Sequence, residues 1–220
     1  MAIIAIDGVA GAGKGTLAAE LAKRLGYLHV DTGALYRCAT VLILNKNIDP
    51  TDEEKVVATV RASKIEAKQI DGKAHYFLDG KDLTTSNSLR TPEVNETVAK
   101  ISKYPRVRVE IRKAQKNVAK NTNCVIEGRD ISTVVFPNAD YKFFVVADTQ
   151  VRALRRQKDY EKQGLVVPFA DVVKMIEERD KADMEREASP LVCPKDACVV
   201  DNGKNTVEQS ITQMLDFIGK

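Results

Sequence analysis

Short apolar runs alternate along this chain with longer stretches in which apolar residues return every three or four positions. Residues 2–7 are an apolar run closed by Asp7, which predicts a buried strand, and residues 14–25 carry Leu17, Leu21 and Leu25 at helical spacing. A short strand is expected at 28–30, followed by Asp31 and Thr32 as a cap for a helix carrying Leu35, Tyr36 and Val41. Thr51 and Glu54 have the spacing of a capping box and predict another helix start.

The rhythm changes between residues 65 and 85. Two Asp-Gly pairs, Asp71-Gly72 and Asp79-Gly80, punctuate short apolar runs there, the pattern of a small antiparallel excursion. Thr91-Pro92-Glu93 then opens a helix, and two helical stretches flank Pro105. Strands are expected at 124–126 and 142–146, helices at 149–163 and 168–188, and a last strand at 197–200. A final amphipathic helix carries Val207, Ile211, Met214, Leu215 and Ile218. The alternation predicts an α/β fold: an open parallel sheet with helices on both faces, with the antiparallel excursion as a lid or acceptor-binding insert.

At 220 residues the chain fits one domain with appendages, and its composition, 44% hydrophobic and 30% charged, is that of a globular protein. No window offers the roughly twenty apolar residues of a membrane span, and the start lacks the basic and long apolar regions of a signal peptide, so a cytoplasmic protein without a membrane partner is expected. Four scattered cysteines make no disulfide framework, and neither they nor the two isolated histidines suggest a zinc site. A net charge of +3 is too slight for a pronounced nucleic-acid footprint.

Chemistry enters with Gly8-Val9-Ala10-Gly11-Ala12-Gly13-Lys14-Gly15-Thr16, set between the first strand and the first helix. Glycines let successive backbone N–H groups turn toward a phosphate chain, the helix N-terminus adds its positive end, and Lys14 supplies a mobile charge for the outer phosphates. Thr16 offers a hydroxyl to a magnesium ion or a phosphate. The general pattern wants Ser or Thr directly after the lysine, where this chain has Gly15.

A phosphate loop alone does not name a reaction. Arg37, near the end of the second strand, can grip a monophosphate bidentately, while Asp31 and Thr32 either join it or cap the helix. Glu127-Gly128-Arg129-Asp130 ends another apolar strand and should emerge at the same sheet edge. Glu127 is placed either to orient magnesium-bound water or to serve as a buried structural carboxylate. Arg179, Asp183 and Arg186, spaced four and three apart, share one helical face. That face is either a solvated charged surface or a moving lid whose arginines stabilise a phosphoryl group in transfer.

Taken together, these residues resemble the bacterial cytidylate kinase family over nearly the whole chain. The likeness runs through GAGKGT at 11–16, DTGALYR at 31–37, YPRVR at 104–108, EGRDISTVVFP at 127–137, RALRR at 152–156 and ERDKADMEREASPL at 178–191. It implies a single P-loop kinase domain over 1–220, with a nucleoside-monophosphate-binding insert at about 60–103 and a helical lid at about 155–188. It also implies transfer of the γ-phosphoryl of ATP to CMP or dCMP with Mg2+; a monomer without a nucleic-acid partner is expected.

Residue by residue, the resemblance gives Arg37 and Arg129 to the acceptor phosphate, Arg108 and Asp130 to the cytosine, Thr32 and Asp183 to the ribose, and Arg179 and Arg186 to the lid. Lys14, Arg129, Arg179 and Arg186 become the catalytic cations. Arg155 or Arg156 would lie near the adenine. Asp130 can accept from the exocyclic amine of cytosine and Arg108 can donate to its carbonyl, a pairing uracil does not satisfy equally. Where the family usually carries a serine, nine residues before Arg108, this chain has Ala99, with Thr97 and Ser102 as nearby hydroxyls. Two alternatives stand beside this reading. One is a kinase preferring UMP or AMP, and the other is a non-catalytic nucleotide- or RNA-binding protein using the basic stretch Arg106, Arg108, Arg112, Lys113, Lys116 and Lys120.

Overall fold

The computed structural model describes residues 1–162 and 164–219. In chain order its strands and helices are β1 (Ile3–Gly8), α1 (Lys14–Leu25), β2 (Leu28–Asp31), α2 (Thr32–Asn45), α3 (Glu53–Arg61), β3 (Ile65–Ile70), β4 (Lys73–Leu78) and β5 (Lys81–Asp82). They continue with α4 (Pro92–Ile101), α5 (Pro105–Val118), β6 (Cys124–Glu127), β7 (Tyr141–Val146), α6 (Thr149–Lys162), α7 (Phe169–Glu185), β8 (Cys198–Asp201) and α8 (Val207–Ile218). A 3-10 turn covers Asn87–Arg90 and a π-helical turn covers Ile131–Val135. Five strands form a parallel sheet in the order β2-β6-β1-β7-β8, and β3-β4-β5 form a small antiparallel one. The contacts divide the chain into two compact units.

The first unit holds Met1 and Tyr27–Cys124. Its centre is α2, buried over most of its circumference by Leu35, Cys38, Ala39, Val41 and Ile43 and packed by α3, α4, α5 and the β3–β4 hairpin. Both Asp-Gly pairs turn as the sequence predicts. Asp71 and Gly72 have φ 48° and 76°, Asp79 and Gly80 φ 49° and 85°, the left-handed geometry that suits two-residue hairpin loops. Thr91 caps α4 through the N–H of Val94.

The expected capping box at Thr51 and Glu54 does not form. Asp52 caps α3 by accepting from Lys55 N–H, Thr51 donates its hydroxyl to Asp49, and Glu54 turns out to pair with Arg106. The carboxylate reaches the orphan N–H of the first turn one residue later than the hydroxyl was expected to. Asp31 holds the capping position of α2 without its side chain closing on the helix.

The second unit holds Ala2–Gly26 and Val125–Lys220. Ile4, Ile6, Leu17, Leu21, Ile126 and Phe143 are almost wholly buried, and β1 pairs in parallel with β7, Ile4 opposite Tyr141 through Gly8 opposite Val145. Helix α8 runs from a complete Thr206–Gln209 capping box, and its Ile211, Met214 and Ile218 pack inward. Helices α6 and α7 enclose a small core of their own, Ala153, Val172 and Ile176 flanked by Tyr160, Val167, Phe169 and Val173. The helix expected at 149–163 ends at Lys162, position 163 lying outside the described residues. Helix α7 stops at Glu185, so Arg186 is extended (ψ 139°), beyond the helical face it was expected to share. Among the described residues no helix is long and apolar enough to cross a membrane.

Candidate active site

The phosphate loop of the second unit is braced from behind. Ala10 donates its N–H to Asp180 at 3.0 Å, and its carbonyl accepts from Arg152 at 3.0 Å. Arg152 and Asp180 are themselves a close, buried ion pair, and Arg152 also donates to Ala147 O and the Thr149 hydroxyl. At the other end of the loop, Asn202 donates to Ala12 O at 2.7 Å, and Arg155 reaches the same carbonyl at 3.5 Å while bonding Asn202 O at 2.7 Å. Arg155 therefore touches the loop, whereas Arg156 lies over the Tyr160 ring.

Lys14 is buried and donates to the carbonyls of Gly8 and Val9 at 2.9 and 2.8 Å. Burial, and after it the positive charge of Arg129, lowers its ammonium from the usual 10.5 to about 7, against the pull of Glu127, Asp7 and Asp183. At Gly15, where the general loop pattern has Ser or Thr, a Cβ would lie 3.0 Å from Glu127 Oε1 and 3.5 Å from Oε2. Glu127 is thus the side chain nearest to this position. Thr16 is exposed on α1.

Asp183 gathers the arginines. Its Oδ2 accepts from Arg129 Nε at 2.9 Å and Arg179 Nε at 3.2 Å, and its Oδ1 from Arg186 Nη1 at 3.2 Å. Burial alone pushes the Asp183 carboxyl up, but the three guanidiniums outweigh it and hold it below the ordinary value. Three cations on one carboxylate leave a locally positive cluster, the electrostatics that a transferring phosphoryl group requires. Arg186 is further fixed by donating to Ser189 O at 2.7 Å. Asp130 is buried, and its carbonyl accepts from Val134 and Val135 at the head of the π-helical turn.

In the first unit, Arg37 lies 3.7 Å from Asp31, as does Arg90 from the 3-10 turn. Asp31 N–H donates to the hydroxyl of Tyr76 at 2.8 Å. Arg108 is buried, donating to Ser102 O at 3.1 Å with its guanidinium 5.3 Å above the Tyr36 ring. Thr32 is buried at the start of α2. Ala99 lies on the exposed face of α4, with Thr97 buried and Ser102 at the helix end. Half of the basic stretch is engaged: Arg106 pairs with Glu53 and Glu54, Lys113 with Glu110, and Arg108 is inside.

Asp7, Arg152, Asp180, Asn202, Tyr76 and Arg90 were not singled out by the sequence. For Asp7 a signal existed: a carboxylate that closes a buried apolar strand must find donors nearby. It accepts from Ile131 N–H, Ser132 N–H and the Ser132 hydroxyl.

Magnesium can be tested against these donors. Among the described residues no group of three or more His, Cys, Asp or Glu could hold a metal. Magnesium, however, is usually held by one or two carboxylates together with substrate phosphates and water, and Glu127 beside Gly15 fits that donor set.

Comparison with known proteins identifies the family. The sequence profile described as cytidylate kinase matches residues 4–220. The cytidylate kinase of Caldicellulosiruptor bescii is 40% identical over 217 residues, covering 99% of this chain and 95% of its relative. That of Caldanaerobacter subterraneus subsp. tengcongensis is 41% identical, covering 99% and 94%, and that of Ligilactobacillus salivarius is 39% identical, covering 98% and 95%. Among solved structures, an uncharacterized protein from Eubacterium ventriosum shares the fold, with a TM-score of 0.54 at 14% identity over 100% of this chain and 99% of that one. The profile match and these relatives, each spanning almost the whole sequence, make this chain a member of the cytidylate kinase family.

Proposed function

We propose that this protein transfers the γ-phosphoryl group of ATP to CMP or dCMP, giving ADP and CDP or dCDP. Family membership supports the reaction. The single observation that carries the mechanism is the gathering of Arg129, Arg179 and Arg186 on Asp183 in the unit that also holds Lys14 and the phosphate loop.

The roles follow from what each group can do. Backbone N–H groups of residues 8–16 and the start of α1 hold the donor phosphates, with Lys14 exchanging loop carbonyls for phosphate oxygens and Arg155 lying toward the adenine. Arg129, Arg179 and Arg186 stabilise the charge that spreads over the transferring group. Arg37 and Arg129 take the acceptor phosphate, Arg108 and Asp130 the cytosine edge, and Thr32 and Asp183 the ribose. Glu127, through water, and the Thr16 hydroxyl would hold magnesium, which would supply charge neutralisation. Residues 60–103 serve as the acceptor insert and 155–188 as the lid, whose closure excludes water. A cytoplasmic setting is proposed, in keeping with the scattered cysteines of the sequence. A monomer is proposed, and light scattering tests it.

A coupled ADP-release assay across CMP, dCMP, UMP, AMP and GMP tests the proposal. CMP and dCMP should give the highest kcat/KM, and turnover of UMP as good as or better than CMP would overturn the cytidylate assignment. A broader base preference has one observation in its favour, Ala99 in place of a serine, worth about fivefold if a single hydrogen bond of roughly 1 kcal/mol is lost. The RNA-binding alternative is disfavoured by the pairing of Arg106 and Lys113 with Glu53, Glu54 and Glu110.

A further inference from the structure

Asp7 is the last side chain of β1 before the phosphate loop, and it is fully buried. Its Oδ1 accepts from Ile131 N–H at 2.9 Å, and its Oδ2 accepts from Ser132 N–H at 2.7 Å and Ser132 Oγ at 2.5 Å. One residue earlier on the same strand, Ile6 O accepts from Gly128 N–H at 2.9 Å. Residues 128–132 are thus fastened to β1 at both ends, with Arg129 and Asp130 between the fastenings.

The strand offers a fixed anchor. Gly8, directly after Asp7, has φ 148°, and a Cβ there would fall 2.0 Å from Val145 O, so β1 lies against β7 with no room to shift. On the far side of the segment, Asp130 O accepts from Val134 and Val135 N–H at 2.9 and 3.0 Å, opening a π-helical turn, a geometry frequent at functional sites. A buried carboxylate is a costly way to hold a loop, since apolar residues of similar volume often serve stability as well. What the carboxylate adds is direction, because three donors on two oxygens define one orientation of the chain that carries them.

We infer that Asp7 is a positioning residue for the acceptor nucleotide: by fastening Ile131 and Ser132 to the end of the phosphate-loop strand, it sets how Arg129 and Asp130 present their side chains. The inference rests on the reading of Arg129 and Asp130 as acceptor-binding residues. It ties the strand that leads into the donor loop to the segment that reads the acceptor through hydrogen bonds in place of a side chain touching either nucleotide.

The test compares Asp7→Asn, Ser132→Ala, Arg129→Ala, Asp130→Ala and the Asp7→Asn/Asp130→Ala pair in full-length protein. Steady-state kinetics would be measured with ATP varied, with CMP varied, and with UMP as competitor base, alongside thermal melting. Asp7→Asn turns one acceptor into a donor facing another donor, and should raise KM for CMP by about tenfold with less change in KM for ATP. Ser132→Ala removes one of the three hydrogen bonds and should move CMP binding in the same direction by about threefold, which keeps the inference open to refutation even if Asp7→Asn fails to fold. Preference for CMP over UMP should fall in both, and the double variant should prefer CMP no less than Asp130→Ala alone. A lowered melting temperature with parental CMP KM and base preference would overturn the inference, as would equal losses of ATP and CMP affinity. Unchanged CMP kinetics in Arg129→Ala and Asp130→Ala would instead sink the site assignment, and this inference with it.

Discussion

A lysine ammonium lowered by burial to about 7 meets a triphosphate in a mixed protonation state. Phosphate oxygens favour the charged form, so nucleotide binding should draw in a proton above neutral pH. At about pH 8 the apparent binding enthalpy of ATP should depend on the ionisation enthalpy of the buffer, and Lys14→Met should abolish the dependence; its absence in the parent would mean Lys14 stays charged throughout. In the ligand-free protein the unfolded chain binds more protons than the folded one between about pH 7 and 10.5, so this group makes stability rise across that window as the cost of burying a charge is relieved. For the arginines, Arg129→Ala and Arg186→Ala should each lower kcat/KM at least tenfold, about 1.4 kcal/mol of transition-state stabilisation, and near-parental kinetics for either would remove it from the site. Lys14, Arg37 and Arg129 were legible because each sits in a compact motif whose neighbours announce it. Asp7 announced only a need for donors, by closing a buried apolar strand, and Asp180 announced nothing, since their partners lie 124 and 170 positions away.

At the level of elements, apolar periodicity placed α1 with its observed bounds and β1 within one residue, while the ends followed polar side chains that compete for the same orphan N–H groups. Thr91→Ala and Asp52→Ala, which each remove an observed cap, should cost about 1 kcal/mol apiece in denaturant unfolding, and Thr51→Ala clearly less. Equal losses at Thr51 and Asp52 would restore the capping box that the spacing suggested. The π-helical turn at Ile131–Val135 had no periodicity by which to be read, because it depends on Asp7 drawing two successive N–H groups toward one carboxylate. The end of α7 at Glu185 was hidden for a related reason: Arg186 leaves the helix yet still reaches Asp183, so the charge spacing looked helical where the backbone was not.

For the whole molecule, strand-helix alternation gave the parallel sheet and the two Asp-Gly turns gave the antiparallel one, since both depend on local pattern. Strand order was not legible, because it depends on which buried edges meet. The brace behind the phosphate loop should matter to the second unit as a whole. Arg152→Met leaves Asp180 buried beside Ala10 without its cation, and a loss of about 3–5 kcal/mol in unfolding free energy is expected. A loss below about 1 kcal/mol would mean that the pair holds the loop without holding the fold.

Gly15 carries a further consequence, for how such a chain can change over generations. A serine at that position would restore the commoner loop signature, yet its Cβ would arrive 3.0 Å from Glu127. Glu127 must then re-aim by a few tenths of an ångström to admit a serine, so the effects of substitutions at positions 15 and 127 should depend on one another.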